Sequence, residues 1–204
     1  MNTVLVGQTH VTPSKVVCIG RNYVEHITEL NNAVPDQMVV FNKPNSAISE
    51  QLHCFHQEQL HYESELSFLV RDGRLAAVAF GLDLTKRGLQ NTLKGKGLPW
   101  ERAKAFDGAA VFSQFVALDG LDINDLSIEL TINETLVQQG HISQMIHSPQ
   151  AMLEELSTYT TLDDNDILMT GTPKGVGTIA KGDRFLGIVK CQGKTLIEAS
   201  WQAQ

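Results

Sequence analysis

The sequence predicts an α+β fold that is rich in β-strands and has a few helices at its periphery. Short runs of Val, Ile and Phe bounded by turn-forming residues outnumber the helical patterns, and they do not alternate with helices as βαβ units would. Hydrophobic residues make up 42% of the 204 residues, which is enough for one core. With no internal repeat and no linker, residues 1–204 are expected to form a single domain.

Nine segments are predicted as strands because β-branched, aromatic and other apolar residues dominate them. Turn formers such as Asp72-Gly73 and Asp119-Gly120 separate several of them. The predicted strands span residues 15–20, 38–42, 66–70, 75–82, 111–118, 126–133, 167–170, 185–190 and 195–201.

Three segments are predicted as helices. Residues 22–31 open on Asn22, a favoured N-cap, and Glu25 follows three positions later as in a capping box. Residues 85–94 form the second predicted helix, which nearby glycines end. The third begins at Ser148-Pro149, since Ser suits the N-cap and Pro suits the first turn.

The charge balance disfavours polyanionic partners. Sixteen Lys and Arg against 23 Asp and Glu give a formal net charge of −7 and a pI near 5.4. We therefore expect neither nucleic acid nor a membrane surface as a partner. No apolar run approaches the roughly 18 residues of a membrane span, and the N-terminus lacks a signal-peptide pattern. Three scattered cysteines without a CxxC motif indicate free thiols, so a cytoplasmic location is predicted.

The segment His61 to Phe68 carries two carboxylates with metal-ligand spacing. On a strand, Glu63 and Glu65 point to one face while Leu66 and Phe68 point to the other. Two carboxylates one pleat apart can chelate a hard cation such as Mg²⁺ or Mn²⁺. The same alternation is also the normal pattern of a half-solvated strand, so both interpretations stand at this point.

Asp83 could supply a third oxygen ligand. It ends an apolar strand, where a carboxylate is either a site residue or the cap of the following helix, and Thr85 competes for the capping role. Two Glu and one Asp would carry a charge of −3, which suits a cation that keeps open positions for substrate oxygens.

A candidate general base lies in the first predicted helix. His26 and Glu29 are three residues apart and share a helix face. A carboxylate beside an imidazole raises its basicity and fixes its tautomer, as a base that activates water requires. The alternative is an exposed amphipathic turn on which both side chains face solvent.

Two glycine-rich segments have the composition of ligand-binding loops. Residues 94–100 precede Lys104, whose charge could hold an anionic substrate or belong to a solvated loop, and they lack P-loop spacing. Residues 171–177 follow a strand and suit a backbone that approaches a ligand closely, but they do not match the dinucleotide pattern GxGxxG.

Taken in order, these segments resemble the fumarylacetoacetate hydrolase family, in particular its small acylpyruvase and oxaloacetate decarboxylase-type members. The resemblance runs from residue 16 to about residue 190 and rests on six motifs in the family's order. They are VVCIGRNYVEHITEL (16–30), FNKPNSA (41–47), HYESEL (61–66), LDLTKRGLQ (82–90), KGKGLPWERAKAFD (94–107) and ILMTGTPKGVG (167–177).

The resemblance implies roles for individual residues. It implies a rolled mixed β-sheet, a homodimer and a metal site for Mg²⁺ or Mn²⁺ formed by Glu63, Glu65 and Asp83. It implies catalytic roles for His26 and Glu29, on a segment that closes over the substrate, and for Lys104 beside the metal. The positions that match substrate-binding residues are Arg21, Gln90 and Thr172.

The activity that the resemblance implies is metal-dependent hydrolysis of a C–C bond in small β-diketo acids (acylpyruvates) through a pyruvate enolate. Decarboxylation of oxaloacetate is a possible side activity because it forms the same enolate. The alternatives are an isomerase or decarboxylase of hydroxymuconate-type aromatic-degradation intermediates, and a catalytically silent protein that keeps the metal pocket. One departure concerns the 17 residues between Glu65 and Asp83, fewer than in acylpyruvase-type members, so the pocket walls or a dimer contact are expected to differ.

Overall fold

A computed structural model describes residues 1–30 and 34–204 of the chain. Its largest element is a mixed eight-stranded sheet. Parallel pairs join β3 to β15 and β5 to β11, and the other pairs are antiparallel. In chain order, the strands of this sheet are β3 (Lys15–Gly20), β4 (Val39–Pro44), β5 (Ile48–Ser49), β9 (Ser64–Arg71), β10 (Arg74–Asp83), β11 (Ala110–Phe112), β12 (Val116–Ala117) and β15 (Ile167–Met169).

A second sheet of four antiparallel strands packs against the first. Its order is β14–β13–β17–β18, with bounds β13 (Leu126–Ile132), β14 (Thr135–His141), β17 (Arg184–Cys191) and β18 (Lys194–Gln202). The remaining strands form three two-stranded pairs: β1 (Val4–Val6) with β2 (Thr9–Val11), β6 (Phe55–His56) with β7 (Glu58–Gln59), and β8 (His61–Tyr62) with β16 (Gly177–Thr178).

Four α-helices are described, and all of them are short. They are α1 (Val24–Glu29), α2 (Arg87–Gly95), α3 (Glu101–Lys104) and α4 (Pro149–Ser157); residues 45–47, 123–125 and 142–144 form single 3₁₀ turns. No helix in the described residues is long and apolar enough to cross a membrane.

The main hydrophobic core lies between the two large sheets. Phe68 and Phe80 of the eight-stranded sheet face Ile128 and Phe185 of the four-stranded sheet in one buried cluster. The sheets approach so closely that a Cβ on Gly187 would lie 2.7 Å from the Phe80 ring. The opposite face of the eight-stranded sheet is also buried, in a second cluster that includes Cys18, Leu69 and Met169. Because its central strands are covered on both faces, the sheet can bury polar side chains deeply.

The predicted α+β, β-rich fold class is confirmed, and most predicted strands match observed ones within two residues. The strand predicted over 111–118 is interrupted, because the backbone and hydroxyl of Ser113 bond to Phe80 and the Phe115 N–H donates to Leu5. Strand β14, the β1–β2 hairpin and helix α3 were not predicted.

The helix boundaries correct the predicted caps. Helix α1 begins after Tyr23, and the Asn22 side chain instead donates to the carbonyls of His147 and Thr170. Residue 31 of the predicted helix lies outside the described residues. Helix α2 begins at Arg87, and neither Asp83 nor Thr85 caps it; the Glu58 carboxylate accepts the Gly88 N–H at 2.9 Å. Ser148 caps α4 as predicted.

Candidate active site

A single β-hairpin places the three candidate metal ligands together. Strands β9 and β10 are joined at the Asp72-Gly73 turn, and their register sets Ser64 opposite Leu82. Beyond that pair, the Asp83 N–H donates to the Glu63 carbonyl at 2.8 Å. Because side chains alternate along a strand, Glu63, Glu65 and Asp83 project to the same side at the end of the hairpin.

The three carboxylates form a candidate divalent metal site. One oxygen from each of Glu63, Glu65 and Asp83 lies within 4.8 Å of the other two, and all three residues are buried. Strand β9 is buried on both faces up to Val70, so the half-solvated strand that the alternation also allowed is excluded. The interpretation of Asp83 as a helix cap is also wrong, because its carboxylate faces those of Glu63 and Glu65 and does not cap helix α2.

Three buried or nearly buried cations contact two of these carboxylates. The Lys104 ammonium donates to Glu63 Oε2 at 2.7 Å, to Asp83 Oδ2 at 2.6 Å and to Thr85 Oγ1 at 2.6 Å. Lys43 Nζ lies 2.7 Å from Asp83 Oδ1, and Arg87 contacts Glu63 Oε1. Lys104 is therefore not in a solvated loop, because all three of its N–H donors are used inside the site.

The charges around Glu63 favour its ionised form. Burial alone would raise the pKa of Glu63, but Lys104 and Arg87 outweigh burial and hold the pKa below its ordinary value. For Lys104 the balance is similar: burial alone would lower its pKa, whereas Asp83 and Glu63 raise it. Both groups are thus held in their charged forms.

Glu65 has no lysine or arginine ion pair among the described residues. Its Oε2 accepts the Gly171 N–H at 2.8 Å. Burial, and then the charges of Asp83 and Glu63, raise the pKa of Glu65 well above its ordinary value. A divalent cation against the three ligand atoms would remove this repulsion. The donor set is entirely carboxylate oxygen, so these residues fit a hard cation such as Mg²⁺ or Mn²⁺.

The predicted His–Glu pair forms beside the carboxylates. His26 Nδ1 lies 3.1 Å from Glu29 Oε2, and His26 is buried, so the exposed-turn interpretation is wrong for the histidine. The Glu29 carboxylate also accepts the Gly175 N–H, at 3.0 Å to Oε1 and 3.2 Å to Oε2. With Nδ1–H directed to Glu29, the other ring nitrogen is the one left to accept a proton.

Eight of the nine side chains predicted for the site line one pocket. The ninth, Glu29, does not line it but contacts His26, which does. The eight are Arg21, His26, Glu63, Glu65, Asp83, Gln90, Lys104 and Thr172. The structure thus brings all nine together, while their individual roles stay predictions.

Two charged residues that contact the carboxylate cluster were missed. Lys43 and Arg87 lie inside the quoted motifs FNKPNSA and LDLTKRGLQ, which were the only signal for them in the sequence. Arg87 also donates to Gln90 Oε1 at 2.6 Å within helix α2, and its contact with Glu63 joins this helix to the carboxylate cluster.

The short stretch between Glu65 and Asp83 does not form the pocket wall. Among the described residues, none from 66–82 lines the pocket, so this stretch contributes no side chain to the wall, and a difference in pocket walls or a dimer contact stays a prediction.

Aromatic side chains line the pocket beside two further cations. The rings of Phe41 and Trp100 have centroids 5.9 Å apart. The Arg21 guanidinium lies 5.9 Å and Lys94 Nζ 6.0 Å from the Trp100 ring centroid. Arg21 adopts a positive φ of 57°, an uncommon backbone conformation for a residue with a side chain, at the end of strand β3. The pocket therefore combines a carboxylate cluster with a positively charged wall.

The fold and this pocket define a known class of enzymes. The family model described as fumarylacetoacetate hydrolase, C-terminal, matches residues 15–195. The chain therefore belongs to the fumarylacetoacetate hydrolase family of metal-dependent enzymes. The mitochondrial oxaloacetate tautomerase FAHD1 of Bos taurus is 37% identical over 187 residues, which cover 83% of this chain and 84% of that protein.

Solved structures share the whole architecture. A putative fumarylacetoacetate isomerase/hydrolase from Oleispira antarctica matches with a TM-score of 0.94 and 30% identity, covering 100% of both chains. A fumarylpyruvate hydrolase from Pseudomonas aeruginosa, crystallised in complex with Mn²⁺ and pyruvate, matches with a TM-score of 0.89 and 27% identity. That match covers 99% of this chain and 95% of the other. The expected family fold with its mixed sheet is confirmed.

Proposed function

We propose that this chain is a divalent-metal-dependent enzyme that forms the enolate of small 2-keto acids, with keto–enol conversion of oxaloacetate as its main activity. The observation that carries the proposal is the placement of three carboxylates and a His–Glu pair in one pocket. The 37% identity to an oxaloacetate tautomerase supports oxaloacetate as the substrate.

The charge balance of the pocket suits a dianionic substrate. Lys43, Lys104 and Arg87 offset the three charges of the carboxylate cluster. A bound divalent cation would then leave the cluster with an excess of positive charge, which favours an anionic substrate. Arg21 and Lys94 add positive charge on the pocket wall, where the second carboxylate of oxaloacetate would be favourable.

Each protein group has a defined task in this proposal. A Mg²⁺ or Mn²⁺ ion held by Glu63, Glu65 and Asp83 would supply positive charge that stabilises the enolate. His26 takes the proton from C3, the C–H electron pair forms the C2=C3 bond, and the keto oxygen takes a proton from solvent to give the enol, after which His26 releases its proton to solvent. Glu29 holds the imidazole in the tautomer whose other ring nitrogen can accept the proton from C3. Lys104 fixes the carboxylates of Glu63 and Asp83.

Acylpyruvate hydrolysis is the second candidate function. The same base could deprotonate a water that attacks the distal carbonyl, and 99% of the chain matches a fumarylpyruvate hydrolase. Cleavage of the C–C bond would again leave a pyruvate enolate. Decarboxylation of oxaloacetate also forms this enolate, but it needs no base.

The test follows the ultraviolet absorbance of the enol with oxaloacetate, acetylpyruvate and fumarylpyruvate, with Mg²⁺ or Mn²⁺ and with chelator. Release of pyruvate is measured in parallel, because hydrolysis and decarboxylation release it whereas tautomerisation does not. We expect metal-dependent enol–keto conversion of oxaloacetate. Absence of a metal-dependent change with all three substrates would refute the proposal.

Replacement of the base separates the activities. His26→Asn should lower kcat for tautomerisation and hydrolysis by about 10²- to 10⁴-fold and reduce decarboxylation much less. The exposed His10 provides the control, and His10→Asn should leave every rate unchanged. Equal losses of all three activities in His26→Asn would contradict the assigned base.

A homodimer in the cytoplasm remains a prediction for this chain. Light scattering during size-exclusion chromatography tests the dimer, and fractionation of cells tests the location. The bovine relative is named as a mitochondrial protein.

A further inference from the structure

Gln138, on strand β14 of the four-stranded sheet, uses its whole amide group to join two segments of the site. It is only 1% exposed and does not itself line the pocket. Its Oε1 accepts the Ser64 N–H at 2.9 Å, and its Nε2 donates to Thr172 Oγ1 and to the Pro173 carbonyl, both at 2.8 Å. The Ser64 N–H can only donate and the Pro173 carbonyl can only accept, so these partners fix the orientation of the amide.

Both segments held by Gln138 carry site residues. Ser64 lies between Glu63 and Glu65, two of the three candidate metal ligands. Thr172 lines the pocket and follows Gly171, whose N–H donates to Glu65. The buried Gln138 side chain therefore adds a direct link between the ligand-bearing backbone and the loop that faces the substrate, beside the Gly171–Glu65 hydrogen bond.

The packing of strand β14 reinforces this connection. A Cβ on Gly140 would lie 3.0 Å from the Pro173 ring, and a Cβ on Gly175 would overlap the Val137 carbonyl. The loop after β15 thus lies directly on β14, with no room for it to shift toward the strand. Gly175, in the same loop, donates its N–H to Glu29, so the candidate base depends on the same support.

We propose that Gln138 is a positioning residue of the active site, which controls metal affinity through Ser64 and affinity for the substrate carboxylate through Thr172. The second part rests on the proposed function, whereas the first part concerns the metal site alone. Gln138 acts through its neighbours, because its own side chain reaches neither the carboxylate oxygens nor the pocket. Outer partners of metal ligands typically change metal affinity by about 10- to 100-fold.

The test compares Gln138→Met with Gln139→Met. Methionine matches the length of glutamine but can make none of the three hydrogen bonds. Gln139 is the next residue on the same strand and is exposed. Among the described residues, its side chain forms a hydrogen bond only with Glu129. Calorimetric titration gives the affinity of each metal-free variant for Mn²⁺, and titration of the Mn²⁺-loaded protein gives its affinity for pyruvate. All titrations are run well below the melting temperature of each variant.

We expect Gln138→Met to bind Mn²⁺ about 10- to 100-fold more weakly than the wild type. Its Mn²⁺-loaded form should also bind pyruvate more weakly than the loaded wild type, whereas Gln139→Met should bind both as the wild type does. Gln138→Glu keeps the acceptor for Ser64 and loses both donors. It should therefore bind Mn²⁺ at least as well as the wild type while its affinity for pyruvate stays reduced, and it replaces the Met variant if that variant does not fold.

Wild-type affinities for Mn²⁺ and pyruvate in a destabilised Gln138→Met protein would show a purely structural role and overturn the inference. If the wild type binds Mn²⁺ but turns over none of the keto acids, the proposed function fails while the Mn²⁺ comparison still decides the role of Gln138. The two failures are therefore distinguishable.

Discussion

Replacement of Glu65 by glutamine should change stability and metal binding in opposite directions. Gln keeps an acceptor for the Gly171 N–H and removes one negative charge from a cluster in which the ligand oxygens lie within 4.8 Å of one another. At that separation and an effective dielectric constant of about 20, each pair of carboxylates repels by roughly 3.5 kcal/mol. Lys104 offsets part of this repulsion.

We therefore expect Glu65→Gln to keep or raise the stability of the metal-free protein, by up to about 3 kcal/mol after the offset by Lys104. In a chain of this size such a gain raises Tm by up to about 10 °C. Metal affinity should fall by more than the 10- to 100-fold typical of outer partners, because a ligand itself is lost. Calorimetry on chelator-treated protein gives Tm, and Mn²⁺ titration gives the affinity.

The matched control is Glu129→Gln in the four-stranded sheet. Glu129 forms an ion pair with Lys190 at 2.7 Å and does not line the pocket. Its replacement should lower stability by less than about 1 kcal/mol and leave Mn²⁺ affinity unchanged. If Glu65→Gln instead destabilises the metal-free protein and binds Mn²⁺ normally, then Glu65 is a structural carboxylate and the metal-site assignment is wrong.

Three further predictions concern stability. Asp166 is fully buried and accepts hydrogen bonds from Lys15 and Ser14. Burial alone would raise the pKa of Asp166, but these hydrogen bonds lower it. Asp166→Asn should therefore destabilise the protein by about 2–3 kcal/mol near neutral pH. Because the lowered pKa stabilises the fold only while the carboxylate is ionised, the difference in Tm between Asp166→Asn and wild type should shrink as the pH falls below about 4. Gly187→Ala should lower the free energy of unfolding in urea by about 1–3 kcal/mol through contact with the Phe80 ring, whereas Gly95→Ala, with open space around it, should not lower it. Chelation of a protein held at a metal concentration of 100 times Kd should remove about 2.7 kcal/mol, and an unchanged Tm would argue against a bound metal.

The sequence predicts the strands well where apolar residues dominate them. Strand β3 was predicted with its observed bounds, and the alternation around Glu63 and Glu65 placed both carboxylates on one face. These features are local, since they depend on the period of the strand. Strand β14 was missed because its sequence, TLVQQGH, has little apolar alternation.

The missed site residues share a non-local origin. Lys43 contacts the backbone of Lys104, which is 61 residues away, and Gln138 bonds Ser64 across 74 residues. Lysine and glutamine are usually exposed, so nothing in their neighbourhood along the chain indicates that they are buried. Only the pairing of strands and the contact between two sheets bring their partners within reach.

The direction of the β9–β10 hairpin has a consequence for engineering. Its turn at Asp72-Gly73 is exposed and lies at the end opposite the carboxylates. Arg71 lies six positions after Glu65 on the strand, which at about 3.3 Å per residue places the turn roughly 20 Å from the metal ligands. Inserted loops, affinity tags or fluorescent labels at this turn should therefore be tolerated without loss of turnover, so the hairpin offers a remote attachment point on the enzyme.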